Sequence, residues 1–257
     1  WRYLLKQKPE LIIVDEAHLG TADTYRDVIA HYQQNANLKI FGCTATPNRS
    51  DNLGLEANFD EIVYQKDLLS MIKERWLADI IPYRVATEID ISRVATKMGD
   101  FATGELSNKI NTPKRNQIIV DKYKEFGAGE PGIAFTVDVA HTNDLTAKFL
   151  ENGVRAAGIT GATKGRGEIL AAYNRGEVRV LVSCGVLGEG VDLPTCIVGL
   201  MGRPTKSPLW YNQAVGRFLR PYPSPEDLAD MIRRGAPPAY IKRFAIMVDF
   251  VDICGRH

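Results

Sequence analysis

The chain has 257 residues, 45% of them hydrophobic and 25% charged, enough apolar material for one or two globular domains with a large core. Lys and Arg total 32 against 31 Asp and Glu, a formal charge of +1, which excludes a global basic field and requires any phosphate binding to be local. No apolar run approaches the ~18 residues of a bilayer span, and four scattered cysteines without a Cys-x-x-Cys pair argue against zinc or disulfides and for reduced thiols inside a cell, whether cytoplasmic, nuclear or organellar.

Leu11-Ile12-Ile13-Val14 is a short apolar run rich in β-branched residues that stops at Asp15-Glu16. That pattern predicts a buried parallel strand delivering acids at its C-terminal edge, where open α/β sheets bind ligands. A helix is expected over residues 22–32 and a second strand over 38–42, running into Thr44-Ala45-Thr46-Pro47. Residues 68–79 have helical spacing, and Trp76 to Pro82 reads as a crossover, which puts the domain boundary near Pro82. Residues 83–91 alternate as a strand does, and the polar stretch 93–112, with Gly99 and Gly104, is expected to be a mobile loop.

From Gly132 onward a strand and helix rhythm sets in: strand 132–135, helix 139–152, strand 154–159, helix 167–174, strand 178–183. Such alternation predicts βαβ units and a parallel sheet with helices on both faces, an α/β fold. Pro221-Tyr222-Pro223-Ser224-Pro225 reads as a rigid turn before a further helix and a last strand over 244–250.

Val14-Asp15-Glu16-Ala17-His18 carries the chemistry, because an acidic pair at a strand end can hold Mg²⁺ and orient a water on a terminal phosphate. In Gln213-Ala214-Val215-Gly216-Arg217-Phe218-Leu219-Arg220 the arginines stand at i and i+3, expected on one helix face and aimed at one anion. Between these stretches, Gly188, Gly190 and Asp192 stand before Leu193-Pro194. The glycines suit close approach of the backbone to a ligand, and Asp192 suits a ribose hydroxyl.

With these motifs in this order the chain resembles the superfamily-two helicases and translocases of the DEAH-box type. In that family Asp-Glu-Ala-His is the Walker B motif, and Thr-Ala-Thr follows the next strand, here about 26 residues later. The resemblance implies two RecA-like parallel-sheet lobes with ATP and Mg²⁺ in the cleft between them and nucleic acid across the top of both. Residues 1–82 would be the C-terminal part of the first lobe, left incomplete, and residues 83–257 the second. Asp15 would hold Mg²⁺, Glu16 would activate the water, and Arg217 and Arg220 would steady the transferring phosphoryl group. His18, Gly188, Gly190, Asp192, Gln213 and Gly216 would contact the nucleotide, and Thr44 and Thr46 would couple its site to strand movement.

Nucleic acid would meet the second lobe at Thr136, with His141 nearby, at Thr160, Gly161 and Arg166, and at Cys184, where many family members carry Thr. Small hydroxyls, exposed amides and scattered cations track phosphates without reading bases. The initial Gln213, the stretch Arg203-Pro204-Thr205-Lys206-Ser207 and the ending Asp249 to His257 are similar to the repair, phage and restriction-motor branch, which implies DNA over RNA. No Gly-x-x-x-x-Gly-Lys-Ser/Thr phosphate loop occurs, and the family places it ahead of the acidic strand. The 257 residues alone are therefore expected to lack ATPase activity. A non-hydrolysing nucleic-acid clamp and an RNA remodeller remain the alternatives.

Overall fold

The computed structural model describes residues 8–17, 23–33, 35, 37–44, 59–185, 191, 193–235 and 241–253. The chain divides into two compact units, Trp1–Lys66 and Asp67–His257. The expected boundary near Pro82 falls inside a strand of the second unit.

The first unit pairs β1 (Leu11–Val14) with β2 (Lys39–Gly42) in parallel, joined through α1 (Asp23–Tyr32). Val14, Ala17 and Ile29 are buried together against Ile12, Ile40 and Phe59, but Leu11 and Ile13 are exposed, so β1 is apolar on both faces and covered on one.

The second unit opens with α2 (Leu68–Lys73), capped by Asp67, whose carboxylate accepts from the Ser70 amide at 2.8 Å. The helix expected over 68–79 ends at Lys73. Arg75 turns into the left-handed region at φ +66°, the Arg75 amide donates to Ile72 and the Trp76 amide to Met71, the pair of bonds that closes a Schellman C-cap. The chain then enters β3 (Asp79–Asp90), so the segment read as a crossover is half strand. Pro82 is tolerated because β3 is an edge strand, paired among the described residues only with β10 (Phe244–Ile253).

The stretch expected as a mobile loop is instead a two-stranded hairpin, β4 (Thr96–Lys97) and β5 (Asp100–Phe101), followed by α3 (Thr103–Ile110). Met98 and Gly99, both at positive φ, form its two-residue turn. Ile91, Val94, Phe101, Leu106, Ile110 and Val137 give this segment its own small core. These apolar residues are too widely spaced among polar ones to announce themselves by periodicity.

After α4 (Pro113–Lys122) and a π-helical turn (Tyr123–Gly127) come β6 (Gly132–Thr136), α5 (Val139–Glu151), β7 (Ala156–Ile159), α6 (Arg166–Asn174) and β8 (Val180–Cys184). β9 (Val198–Met201), α7 (Pro208–Leu219) and α8 (Pro225–Arg233) precede β10. The six-stranded sheet has the order β3-β10-β9-β6-β8-β7 and is parallel throughout. Side-chain alternation splits it into two covered faces. Ile133, Phe135, Leu181 and Ala245 meet α6 and α7. Ala134, Val180, Val182, Val198, Leu200, Val248 and Phe250 meet α4 and α5. Burial on both faces explains why these strands read as continuous apolar runs.

One ion pair crosses this core. Fully buried Arg115 of α4 forms a bidentate contact with Asp252 of β10 at 2.9 and 3.1 Å and donates to the Gly202 carbonyl at 2.7 Å, while Thr87 of β3 hydrogen-bonds the same carboxylate.

Candidate nucleotide and nucleic-acid sites

Pairing of β1 and β2 continues past the strand ends. The Cys43 amide donates to the Val14 carbonyl at 2.9 Å and the Ala17 amide to the Cys43 carbonyl at 2.8 Å. The acid turn Asp15-Glu16 is thereby held against the segment that runs into half-buried Thr44. Gly42 permits this approach, since a Cβ there would stand 2.5 Å from Phe59 and 2.9 Å from Ala17. Glu16 adopts φ +47°, a costly region for a non-glycine residue, and its amide donates to Asp15 Oδ1 at 2.9 Å. No sequence pattern announces that backbone strain. His18 and Thr46 lie outside the described residues.

Asp15 is exposed, with one oxygen engaged by the Glu16 amide. Among the described residues no cluster of three or more His, Cys, Asp or Glu side chains surrounds a metal position. A lone strand-end carboxylate nevertheless fits Mg²⁺ held with a nucleotide, because that ion keeps several waters and takes one or two carboxylates plus substrate phosphates.

In the second unit, α7 carries the arginine motif. Ser207 caps it, accepting from the Trp210 amide, and Pro208 occupies the first turn. Gln213, Gly216 and Arg217 are half-buried, and Arg217 Nη1 donates to the Val191 carbonyl at 2.7 Å. Among the described residues nothing stands within 4 Å of a Cβ built on Gly216. Arg220 departs from expectation: it is the exposed C-cap at φ −60°, ψ 131°, not a residue of the helix face that bears Arg217. Pro221 is the physical reason, because the residue before a proline is pushed out of the α region. Gly188, Gly190 and Asp192 lie outside the described residues.

The three expected nucleic-acid stretches line up at the C-terminal edge of adjacent strands. Thr136 at the end of β6 is the register partner of Cys184 at the end of β8, and Ile159 of β7, next to Thr160, is the partner of Ser183. Two side chains expected to face phosphates are used internally instead. Thr136 is fully buried, its hydroxyl 2.7 Å from that of Thr142, because β6 is the central covered strand. Arg166 Nη2 donates to the carbonyls of Thr160 and Gly161 at 2.7 and 2.9 Å and so braces the loop it was expected to accompany. Thr160 is half-buried, its amide donating to the Thr163 hydroxyl at 2.8 Å, while Gly161 is exposed and Cys184 partly exposed at this edge.

His141 is also interior. Its Nδ1 accepts from the Val137 amide at 3.3 Å, its Nε2 lies 3.2 Å from Asn116 Oδ1, and burial, with the Arg115 charge adding to it, lowers its pKa to about 3. It is a neutral core residue under the loop.

Asp100 was absent from the sequence-based expectations. It accepts from Arg203 Nη2 at 2.7 Å, the Thr205 hydroxyl at 2.9 Å and the Lys206 amide at 2.7 Å, fastening the β4–β5 hairpin to the turn ahead of α7. Arg203 stacks over Trp210 at 4.7 Å. Arg203 to Ser207 stood out in sequence, but its partner lay within the apparent loop.

Residues 108–221 match the helicase conserved C-terminal domain, and residues 2–49 match the type III restriction enzyme res subunit. A Saccharomyces cerevisiae protein named as an ATP-dependent helicase, IRC3, is 35% identical over 82% of this chain and 32% of its own length. A 51.5 kDa protein of a Lactococcus phage is 28% identical over 85% of this chain and 48% of its own. Among solved structures, a fragment described as an HsdR subunit of a type I restriction enzyme from Vibrio vulnificus YJ016 aligns over 97% of this chain and 45% of its own, with 24% identity and a TM-score of 0.66. Dbp5 of S. cerevisiae, bound to RNA and ADP BeF3, aligns over 98% of this chain and 56% of its own at 14% identity and a TM-score of 0.59. These likenesses show the RecA-like helicase fold. The chain spans about a third to a half of the length of the curated relatives it matches. The two domain matches and the likeness to IRC3 support a superfamily-two helicase related to restriction and phage proteins.

Proposed function

We propose that the protein containing this chain is an ATP-dependent helicase or translocase that acts on DNA in preference to RNA and couples ATP hydrolysis to movement along the strand. The observation that carries the reading is the Ala17 to Cys43 hydrogen bond at 2.8 Å, which sets the strained Asp15-Glu16 turn against Thr44. Mg²⁺, when bound with ATP, neutralises charge on the phosphates. Asp15 is the residue that would hold it, directly or through water, and Glu16 takes the proton of the attacking water. Arg217 and Arg220 stabilise charge on the transferring phosphoryl group, and Gln213 and Gly216 help hold the nucleotide. His18, Gly188, Gly190 and Asp192 take the nucleotide contacts that their motifs imply. Thr44 and Thr46 carry the change at the phosphates to the strand-binding edge. The loop of Thr160 and exposed Gly161, with Cys184, meets nucleic-acid phosphates.

DNA is favoured by the Gln that begins the arginine motif and by the kinship with phage and restriction proteins. The test is steady-state ATP hydrolysis by the intact protein with duplex DNA, single-stranded DNA or RNA. Stimulation by DNA above RNA is expected. Stimulation by RNA alone would make the protein an RNA remodeller, and no hydrolysis under any condition would make it a clamp.

A further inference from the structure

Arg220 lies beyond α7, so something other than helix geometry has to hold it in register with Arg217. Three carbonyls flanking it are occupied. Leu219 accepts from the Ala78 amide at 2.7 Å and Tyr222 from the Lys242 amide at 2.7 Å. Phe218, in the last turn of α7, accepts from Lys242 Nζ at 2.7 Å. The same ammonium donates to the Pro194 carbonyl at 3.4 Å and to that of Cys196. Lys242 is 2% exposed.

We propose that Lys242 is a positioning residue for the arginine pair: it fixes the chain on both sides of Arg220 and ties the end of α7 to the Leu193–Cys196 segment, next to Val191, whose carbonyl receives Arg217. The inference rests on the reading of Arg217 and Arg220 given above. A cation is favoured at a helix C-terminus, where the last carbonyls lack partners within the helix. Burying an ammonium is costly in desolvation, and an apolar side chain could fill the same space without that cost. The charge sits at a position that joins the exit of the arginine motif to the segment after Asp192.

The experiment compares wild type, Lys242→Met and Lys242→Gln in the intact protein, with Glu16→Gln in parallel. Methionine matches the side chain as far as Cε and removes every donor, while glutamine retains a donating NH₂. Lys242→Met is expected to lower kcat about 10- to 100-fold with little change in the KM for ATP, as small displacements of reacting groups do. Affinity for ADP with aluminium fluoride, a mimic of the transferring phosphoryl group, should fall by a similar factor while affinity for ADP alone holds. Lys242→Gln should recover part of both. A folded Lys242→Met protein with wild-type kcat overturns the inference. So does an equal loss of affinity for ADP and for its fluoride complex. Failure of both variants to fold where wild type folds would assign Lys242 a purely structural role. If Glu16→Gln retains turnover, the reading of the ATP site itself fails. If Glu16→Gln is inactive and Lys242→Met is normal, only the present inference does.

Discussion

Gly199 of β9 faces the ring of Phe218 of α7 so closely that a Cβ on Gly199 would stand 2.2 Å from Phe218 Cε1 and 2.4 Å from Cζ. Phe218 is fully buried and adjoins Arg217, so the contact seats the arginine helix on the sheet. Because Phe218 has no room to give, Gly199→Ala is expected to destabilise the second unit by about 1–3 kcal/mol or more, the cost of overpacking a filled core. Urea unfolding of the variant against wild type checks this, and an unchanged midpoint would contradict it.

His141 makes stability depend on pH in a defined direction. Its pKa of about 3 in the fold, against an ordinary 6.5, means that the native state holds it neutral while the unfolded chain takes up a proton below 6.5. Its contribution is therefore complete above pH 6.5 and is lost as pH falls from 6.5 toward 3. The loss is steepest at about 1.4 kcal/mol per pH unit. Unfolding free energies of wild type and His141→Gln, measured down to about pH 5, should converge as pH falls. A gap that stays constant would show that His141 does not titrate on unfolding.

Arg217 and Arg220 are expected to act on the phosphoryl group and not on the strand. Arg217→Ala and Arg220→Ala should each cost about 10³-fold in turnover with little change in DNA affinity. Arg217→Ala also removes the 2.7 Å bond to Val191 and should lower stability more than Arg220→Ala, whose side chain is exposed. Near-normal hydrolysis with weakened DNA binding would reassign both residues to the strand.

The division of the chain at Lys66 and Asp67 gives a prediction about fragments. A polypeptide beginning at Asp67 keeps α2 and the whole of β3, whereas one beginning at Tyr83 loses the pairing of Asp79, Ile80, Ile81 and Pro82 with residues 244–247 of β10. The first should fold cooperatively and the second should melt lower. Equal melting temperatures would return the boundary to Pro82.

Much of the fold was legible because the parallel strands of the second unit are buried on both faces and read as apolar runs. Ile133 to Phe135 and Val180 to Val182 are examples. The hairpin at 96–101 was not, because its two strands are two residues each and its polar side chains pair across the fold, Asp100 to Arg203 among them. β3 was split by Pro82, which punctuates a sequence but is harmless on an edge strand. At the candidate site, the place of Asp15, Glu16 and Thr44 just past two strand ends was legible because a strand end announces itself. The burial of Thr136 and the staple formed by Lys242 depend on contacts between distant segments, and no local pattern encodes them.

The strained acid turn is the centre of the account, and ATP hydrolysis by the intact protein with and without duplex DNA, wild type against Glu16→Gln, tests it most directly. Glutamine keeps the shape of the side chain and leaves Asp15 beside it, but cannot take the proton of the attacking water. The account predicts that Glu16→Gln abolishes hydrolysis with and without DNA while ATP binding is retained. Residual turnover within a few-fold of wild type, or loss of ATP affinity along with turnover, would contradict it.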